Sequence, residues 1–130
     1  MRCTVKWFDA QKGYGILSSK DSKEEYFVYQ STIAMDGFRY LCEDDVVDFN
    51  VSTGKDGRNL AVDVTPVLTR KMVEDSLKEE NLYVRTMKDA YKVTKYLVVD
   101  QNDVIQTSEQ GMDFLNLAAY AGFDTEGLSA

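Results

Sequence analysis

The segment from Lys6 to Leu17, KWFDAQKGYGIL, concentrates side chains that could hold an extended ligand. Its twelve residues include a tryptophan, a phenylalanine, a tyrosine, two lysines and two glycines. Exposed rings offer flat faces on which nucleic-acid bases stack, and ammonium groups beside them neutralise phosphates. Rings of this size are, however, most often buried in a core. The strand faces on which the rings lie decide between these two uses.

The chain contains no histidine, and its cysteines are Cys3 and Cys42. Ser/His and Cys/His nucleophilic catalysis and histidine-containing zinc sites are therefore excluded. The two cysteines show no metal-ligand spacing and indicate reduced thiols. The sequence begins with no basic and apolar leader, and its longest apolar run is far shorter than the roughly 20 residues of a membrane span. We expect a cytoplasmic protein that binds no cofactor and no membrane.

The 130 residues include 15 basic and 22 acidic side chains, which gives a net charge of −7. A chain of this charge does not attract nucleic acid through its overall field, so any basic footprint must be local. The acidic runs lie in predicted loops or at helix ends, namely Glu24–Glu25, Glu43–Asp45 and Glu79–Glu80. Solvated surface charge explains such runs better than a catalytic carboxylate pair, which needs a cleft. We expect no enzymatic activity.

Residues 1–67 have the pattern of short strands, rich in β-branched and aromatic residues and separated by polar turns. The five strand segments are TVKWF, YGILSS, EYFVYQ, VVDFNVST and NLAVDVTPV. The GKDG sequence at residues 54–57 is typical of a hairpin turn, and residues 31–45 form the one long connection. Five short strands without a helix favour a closed Greek-key barrel over an open sheet, because closure removes edges that would aggregate.

Strand alternation sorts the aromatic residues, because successive side chains point to opposite faces and a barrel has one interior. If the interior is filled by one set, a second set faces water. The interior set is Leu17, Tyr26 and Val28, and the outer set is Tyr14, Ile16, Phe27 and Tyr29. This predicts a solvent-facing aromatic surface edged by Lys6 and Lys12. Each ring taken singly fits a core, but the joint pattern favours the exposed surface.

The segment KWFDAQKGYGIL resembles the first RNP motif of the cold-shock domain family, and YFVYQS resembles its second. The similarity continues through DGFRYL and GRNLAVDVTPV, so it covers about residues 2–67. It implies a five-stranded OB-type barrel that binds single-stranded RNA or DNA with little sequence preference. An RNA chaperone or a regulator of transcription or translation is the implied role.

The resemblance also assigns binding residues. The implied stacking residues are Trp7, Phe8, Tyr14, Phe27, Tyr29 and Phe38, and Ile16 occupies a further position of that surface. The implied contacts to phosphates or base edges are Lys6, Lys12, Arg39 and Arg58. Simple alternation would put Trp7 on the same face as inward Val5, so its exposure requires a β-bulge.

Four positions depart from the family pattern. Ile16 replaces an aromatic residue, Gln30 a phenylalanine, Tyr29 a histidine, and Asp9 an asparagine. These changes indicate a weaker or differently selective binder. An acidic protein-interaction module that no longer binds nucleic acid is the alternative, and a nucleic-acid mimic is a third hypothesis that rests on the charge alone.

Residues 68–130 resemble no family, and their pattern predicts a small α+β extension. Helical spacing predicts a helix over about 70–80 with Thr69 as N-cap, whereas residues 82–91 fit a strand or a continued helix. KYLVVD and VIQT predict a hairpin, and Ser108 is the expected N-cap of a final helix that ends near Gly122. That helix would be apolar over most of its circumference. We therefore expect a homodimer through residues 68–130, with burial inside a monomer as the alternative.

Overall fold

The computed structural model describes residues 1–19, 23–34, 39–126 and 128, and the chain folds into two compact units, Met1–Arg70 and Lys71–Ser129. The strands of the first unit are β1 (Arg2–Asp9), β2 (Tyr14–Ser18), β3 (Glu25–Tyr29), β4 (Val46–Thr53) and β5 (Asn59–Leu68). The later elements are α1 (Arg70–Lys78), β6 (Tyr83–Lys88), β7 (Thr94–Val99) and α2 (Phe114–Tyr120). Among the residues that the structure describes, no helix is both long and apolar enough to span a membrane.

The first five strands form a closed barrel in the order β1-β2-β3-β5-β4, in which β1 pairs with β4 to complete the circle. The pairing between β3 and β5 is parallel, and the other four pairings are antiparallel. A short 3-10 helix, Gln30–Thr32, follows β3. The expected mainly β fold, a five-stranded OB-type barrel with an α+β extension, is confirmed.

The barrel interior is filled by alternate side chains of all five strands. Its largest fully buried members include Leu17, Val28, Val47 and Val64, and Tyr26 packs on Phe49 with ring centroids 5.1 Å apart. The interior positions assigned by strand alternation, Leu17, Tyr26 and Val28, are thus correct. Each such side chain contributes about 1.5–3 kcal/mol by leaving water. The rings on the opposite faces are therefore not needed to fill the core.

Asp45 is a buried carboxylate of the first unit, with 2% of its surface exposed. One carboxylate oxygen accepts the Cys42 N–H at 2.8 Å and the other accepts the Arg70 N–H at 2.7 Å. Its backbone carbonyl accepts the N–H of Val5 at 2.9 Å, which ties the start of β4 to β1. Burial raises the pKa of Asp45 from 3.8 to about 6, against the two backbone hydrogen bonds, which favour the charged form.

The buried Asp45 carboxyl predicts a specific pH dependence of stability. Because its folded-state pKa exceeds the unfolded value, the folded state keeps the proton between about pH 4 and pH 6, where the unfolded state has released it. The stability from this group is therefore present below about pH 4 and lost as the pH rises through 6. Over that window the free-energy advantage of the wild type over Asp45→Ala should shrink by about 2 kcal/mol.

Urea unfolding followed by the fluorescence of Trp7, the one tryptophan of the chain, measures this difference at each pH. Comparing the two proteins cancels the titration of groups that do not interact with Asp45. A free-energy difference that is constant from pH 4 to pH 7 would contradict the prediction.

The predicted helix near the start of the second unit is confirmed as α1, and within residues 82–91 the chain forms the strand β6 rather than a continued helix. The strand β6 pairs antiparallel with β7. The predicted hairpin partner of β7, residues 104–107, contributes the bridge from Ile105 to Val99 and not a regular strand.

The turns before and after β7 are each closed by an aspartate side chain that accepts a backbone N–H four residues further along the chain. Asp89 accepts the Val93 N–H and Asp100 accepts the Val104 N–H, each at 3.0 Å.

The final helix was predicted to run from Ser108 to about Gly122, and the predicted start at Ser108 is wrong. The helix α2 is capped by Asp113, whose carboxylate accepts the Asn116 N–H at 2.8 Å, and Ser108 instead bonds the N–H of Gln110 in a turn. Met112 cannot be helical because its N–H and carbonyl pair with Tyr96 of β7 at 2.9 and 2.8 Å. The buried face of α2 consists of Phe114, Leu117 and Ala118. The long apolar helix that motivated the homodimer is therefore only a two-turn helix with one buried face.

Candidate nucleic-acid interface

A β-bulge in β1 turns Trp7 outward. Val5 pairs with Leu17 and Trp7 pairs with Ile16, so Lys6 is an extra residue without a partner in β2. Each extra residue reverses the faces of the residues that follow it. Val5 therefore stays in the core, whereas Trp7 is 41% exposed. The bulge that the exposure of Trp7 requires is present in the structure.

The outer faces of β1, β2 and β3 carry four rings, which we call the aromatic platform: Trp7, Tyr14, Phe27 and Tyr29. The rings of Trp7 and Tyr14 meet edge to face, with centroids 5.7 Å apart and an interplanar angle of 73°. Tyr14 lies directly opposite Tyr29 in the β2–β3 register. Tyr29 is 43% exposed, and Tyr14 and Phe27 are half-buried. The structure thus brings these four predicted side chains together on one surface.

The prediction that Ile16 faces water is wrong, because only 7% of this residue is exposed. Ile16 does lie on the platform side of β2, opposite Trp7 on one neighbouring strand and Phe27 on the other. Directly opposite residues of paired strands have Cβ atoms about 4.5–5.5 Å apart, so two large rings flank the smaller side chain. Ile16 therefore supports the rings from between them and offers little surface of its own.

Phe8 lies on the inner side of β1, half-buried against the barrel core. Its partner in the register is Gly15, and a Cβ on Gly15 would collide with the backbone carbonyl oxygen of Trp7 and come within 2.8 Å of both Cα and Cδ2 of Phe8. A glycine is thus required against this stretch of the β1 backbone, which explains the second glycine of KGYGIL. Phe8 contributes no ring to the platform in this structure. Phe38, the other implied stacking residue, lies outside the described residues.

Two of the four implied phosphate contacts already have acidic partners. The Lys6 ammonium lies 2.7 Å from a Glu25 carboxylate oxygen, and Arg58 lies 2.9 Å from Asp56. The guanidinium carbon of Arg58 also sits 4.8 Å from the centroid of the Phe27 ring, in cation–π contact. Sequence reasoning predicted neither ion pair and treated Glu25 as part of a solvated acidic run. The registers of β1 with β2 and of β2 with β3 place Glu25 level with Thr4, two residues before Lys6, so strand alignment could have found this pair.

The other two cations lie in exposed connections. Lys12 is in the β1–β2 turn, and its ammonium group has no acidic partner among the described residues. Arg39 donates a long hydrogen bond of 3.4 Å to the Ser31 carbonyl. The Asp9 carboxylate accepts the N–H groups of Gln11 and Lys12, at 3.0 Å each, so it closes the turn that carries Lys12.

A closed five-stranded barrel of this strand order is an OB-type barrel, an architecture that includes many oligonucleotide-binding domains. The chain matches the family model of the 'Cold-shock' DNA-binding domain over residues 1–67. It therefore belongs to the cold-shock domain family.

Curated relatives share this part of the chain. Glycine-rich protein 2 of Nicotiana sylvestris is 53% identical over 62 residues, which are 48% of this chain and 29% of the relative. A cold shock-like protein of Thermotoga maritima is 48% identical over 61 residues, which are 47% of this chain and 91% of the relative. Cold shock domain-containing protein 4 of Arabidopsis thaliana is 44% identical over 62 residues, 48% of this chain and 31% of the relative. The match thus spans less than a third of these two plant proteins and most of the bacterial one.

Proposed function

We propose that residues 1–67 form a domain that binds single-stranded RNA or DNA with low sequence specificity through the aromatic platform, and that the chain has no enzymatic activity. One observation carries this proposal. Four rings lie on the outer faces of three adjacent strands although the barrel interior is already filled. The membership in the cold-shock domain family supports nucleic acid as the ligand.

The geometry of the rings favours bases over a protein partner. Neighbouring strands lie about 4.8 Å apart, so rings on three strands offer a row of separate stacking faces to successive unstacked bases. Cationic groups border that row at Lys6, Lys12 and Arg58. An acidic interaction module, the alternative, would need neither the cations nor a row of rings with separate faces. We further propose a cytoplasmic role as an RNA chaperone or as a regulator of transcription or translation.

Truncating one platform ring should weaken binding without unfolding the barrel. Tyr14→Ala should cost about 1–3 kcal/mol of binding free energy, the loss of one stacked base. A heptamer of uridine titrated at low salt, with quenching of Trp7 fluorescence as the signal, measures the affinity. Tyr83→Ala is the matched control, because Tyr83 is a 41% exposed tyrosine of the second unit. Unchanged affinity in a folded Tyr14→Ala variant would place the binding surface elsewhere.

The two acidic partners should lower the salt dependence of binding. Each phosphate contact of a single strand contributes about −0.7 to the slope of log affinity against log salt concentration. Lys12 and Arg39 alone would give about −1.4, whereas four available cations would give roughly −3. Glu25→Gln and Asp56→Asn together should therefore tighten binding at low salt and steepen the slope toward −3.

Asp75→Asn is the control for this experiment, because it removes the carboxylate that pairs with Lys71 at 2.8 Å in the second unit. It raises the net charge by one unit, half the change in the double variant, but should leave the slope unchanged. A change of slope in the control half as large as that in the double variant would show that overall charge, and not the local pairs, sets the salt dependence.

We propose a weak homodimer through residues 68–130. The exposed apolar side chains of the second unit support this proposal, and they include Tyr91, Val93, Val104, Ile105 and Tyr120. Light scattering at tens of micromolar should give more than the mass of one chain for the full-length protein. A chain that ends at Arg70 should be monomeric and folded, because it keeps buried Leu68 of β5 and the Arg70 N–H bonded to Asp45. A strictly monomeric full-length protein would contradict the dimer.

A further inference from the structure

The hairpin formed by β6 and β7, residues 83–99, is a basic segment of an acidic unit. It carries four basic side chains and one acidic side chain, whereas the rest of residues 71–129 carries two basic and ten acidic ones. The basic residues of the hairpin are Arg85, Lys88, Lys92 and Lys95, and the acidic one is Asp89. Positive charge in this half of the chain is therefore concentrated on one hairpin, where it forms a local basic footprint.

The tip of this hairpin, residues 88–93, combines available cations with an exposed ring. Arg85, outside the tip, is engaged by Asp103, with 2.5 Å between the guanidinium nitrogen and the carboxylate oxygen. The ammonium groups of Lys88 and Lys92 pair with no carboxylate in the part of the chain that the structure describes. Tyr91, next to Lys92, is 87% exposed. The hairpin tip thus offers both an aromatic face and uncompensated positive charge to a ligand.

The turn that carries Tyr91 and Lys92 has the same backbone arrangement as the turn that follows β7. In each turn the first residue, Asp89 or Asp100, accepts the N–H groups of the residues two and four positions later. The fourth residue of each turn has a positive φ, 63° for Lys92 and 67° for Asp103. The sequence is DAYKV in the first turn and DQNDV in the second. One backbone is therefore built with two different sets of side chains.

This comparison shows that the turn geometry does not require Tyr91 or Lys92. Asparagine and aspartate adopt positive φ more readily than lysine, because their short side chains can hydrogen-bond locally. The first turn nevertheless has a lysine at the strained position. Strain that folding does not require is a reason to look for a function at that position.

We infer that the hairpin tip is a second contact site for single-stranded nucleic acid, at which one base stacks on Tyr91 while Lys88 and Lys92 meet phosphates. The site lies outside residues 1–67 and adds a separate contact to the proposed binding by the aromatic platform. An exposed ring beside ammonium groups suits a base with its phosphates. Lysine is depleted in protein–protein interfaces, so its presence on both sides of Tyr91 favours nucleic acid over a protein partner.

The test follows the backbone amide resonances of the full-length protein by NMR while a uridine heptamer is added at low salt. The amides of Tyr91, Lys92 and Val93 should shift and reach saturation. The affinity obtained from these shifts should fall with salt at a log–log slope of about −1.4, as expected for two phosphate contacts of a single strand. Inorganic tripolyphosphate, which has no bases, should bind the hairpin tip roughly fivefold or more weakly, because it lacks the stacked base.

A double variant, Tyr91→Asn with Lys92→Asp, gives the first turn the residues that the second turn has at the same positions. It should stay folded, because the second turn accommodates these residues in the same backbone arrangement. Its affinity at the hairpin tip, followed at the Val93 amide, should fall roughly fivefold or more through the loss of one stacked base. Lys71→Gln with Lys78→Gln is the matched control, because it changes the net charge by the same two units on α1 and should leave this affinity unchanged.

Heptamer-induced shifts at the platform without shifts at the hairpin tip would overturn the second site and leave the proposed function intact. Equal affinity for tripolyphosphate, or equal effects of the double variant and its control, would also overturn the second site. So would a double variant that loses self-association in light scattering but keeps its heptamer affinity at the tip, since Tyr91 would then belong to the dimer interface. Shifts at the hairpin tip without shifts at the platform would instead overturn the proposed function.

Discussion

The extra residue in β1 is the constraint on which the rest of the first unit depends. A barrel has one interior, so a strand of strict alternation cannot place both Val5 and Trp7 where the structure has them, one buried and one exposed. The bulge at Lys6 reverses the faces midway along the strand. The first half of β1 therefore fills the core, and the second half presents a ring to solvent. Hydrogen bonds between the backbone of Val5 and that of Asp44 and Asp45 hold the strand just before the bulge.

The aromatic platform rests on smaller residues of β2. Ile16 fills the space between the rings of two flanking strands, and Gly15 leaves room for Phe8 on the inner side. Rings held in this way lose little conformational freedom on binding, which favours stacking of a flexible strand. Two of the cations around the rings form ion pairs with nearby carboxylates, Lys6 with Glu25 and Arg58 with Asp56. The acidic composition thus acts beside the aromatic platform itself, where carboxylates pair with cations that the proposed function assigns to phosphates.

In the second unit, two turns are closed in the same way by an aspartate side chain. Asp89 and Asp100 each accept two backbone N–H groups across a turn, and both turns place a non-glycine residue, Lys92 or Asp103, at positive φ. Such side-chain caps satisfy backbone groups without a large core. The buried residues of this unit include side chains of β7 and α2, where Tyr96 meets Phe114 with ring centroids 5.8 Å apart, and Val73 and Leu77 of α1. The acidic residues of this half are in part structural, which is a further reason against interpreting its charge as nucleic-acid mimicry.

The sequence by itself determined the five strands, the interior set of Leu17, Tyr26 and Val28, and the helix α1, because side-chain periodicity and turn residues are local properties of the chain. It also indicated that Tyr14, Phe27 and Tyr29 lie opposite that interior. Only the tertiary structure decided the rest. The bulge at Lys6 depends on the register with β2, the burial of Ile16 on the rings of both neighbouring strands, and the pairing of Lys6 on a carboxylate 19 residues away. The helix α2 begins after Asp113 because the backbone of Met112 is hydrogen-bonded to Tyr96 of β7. A local sequence pattern cannot predict a partner so distant in the chain.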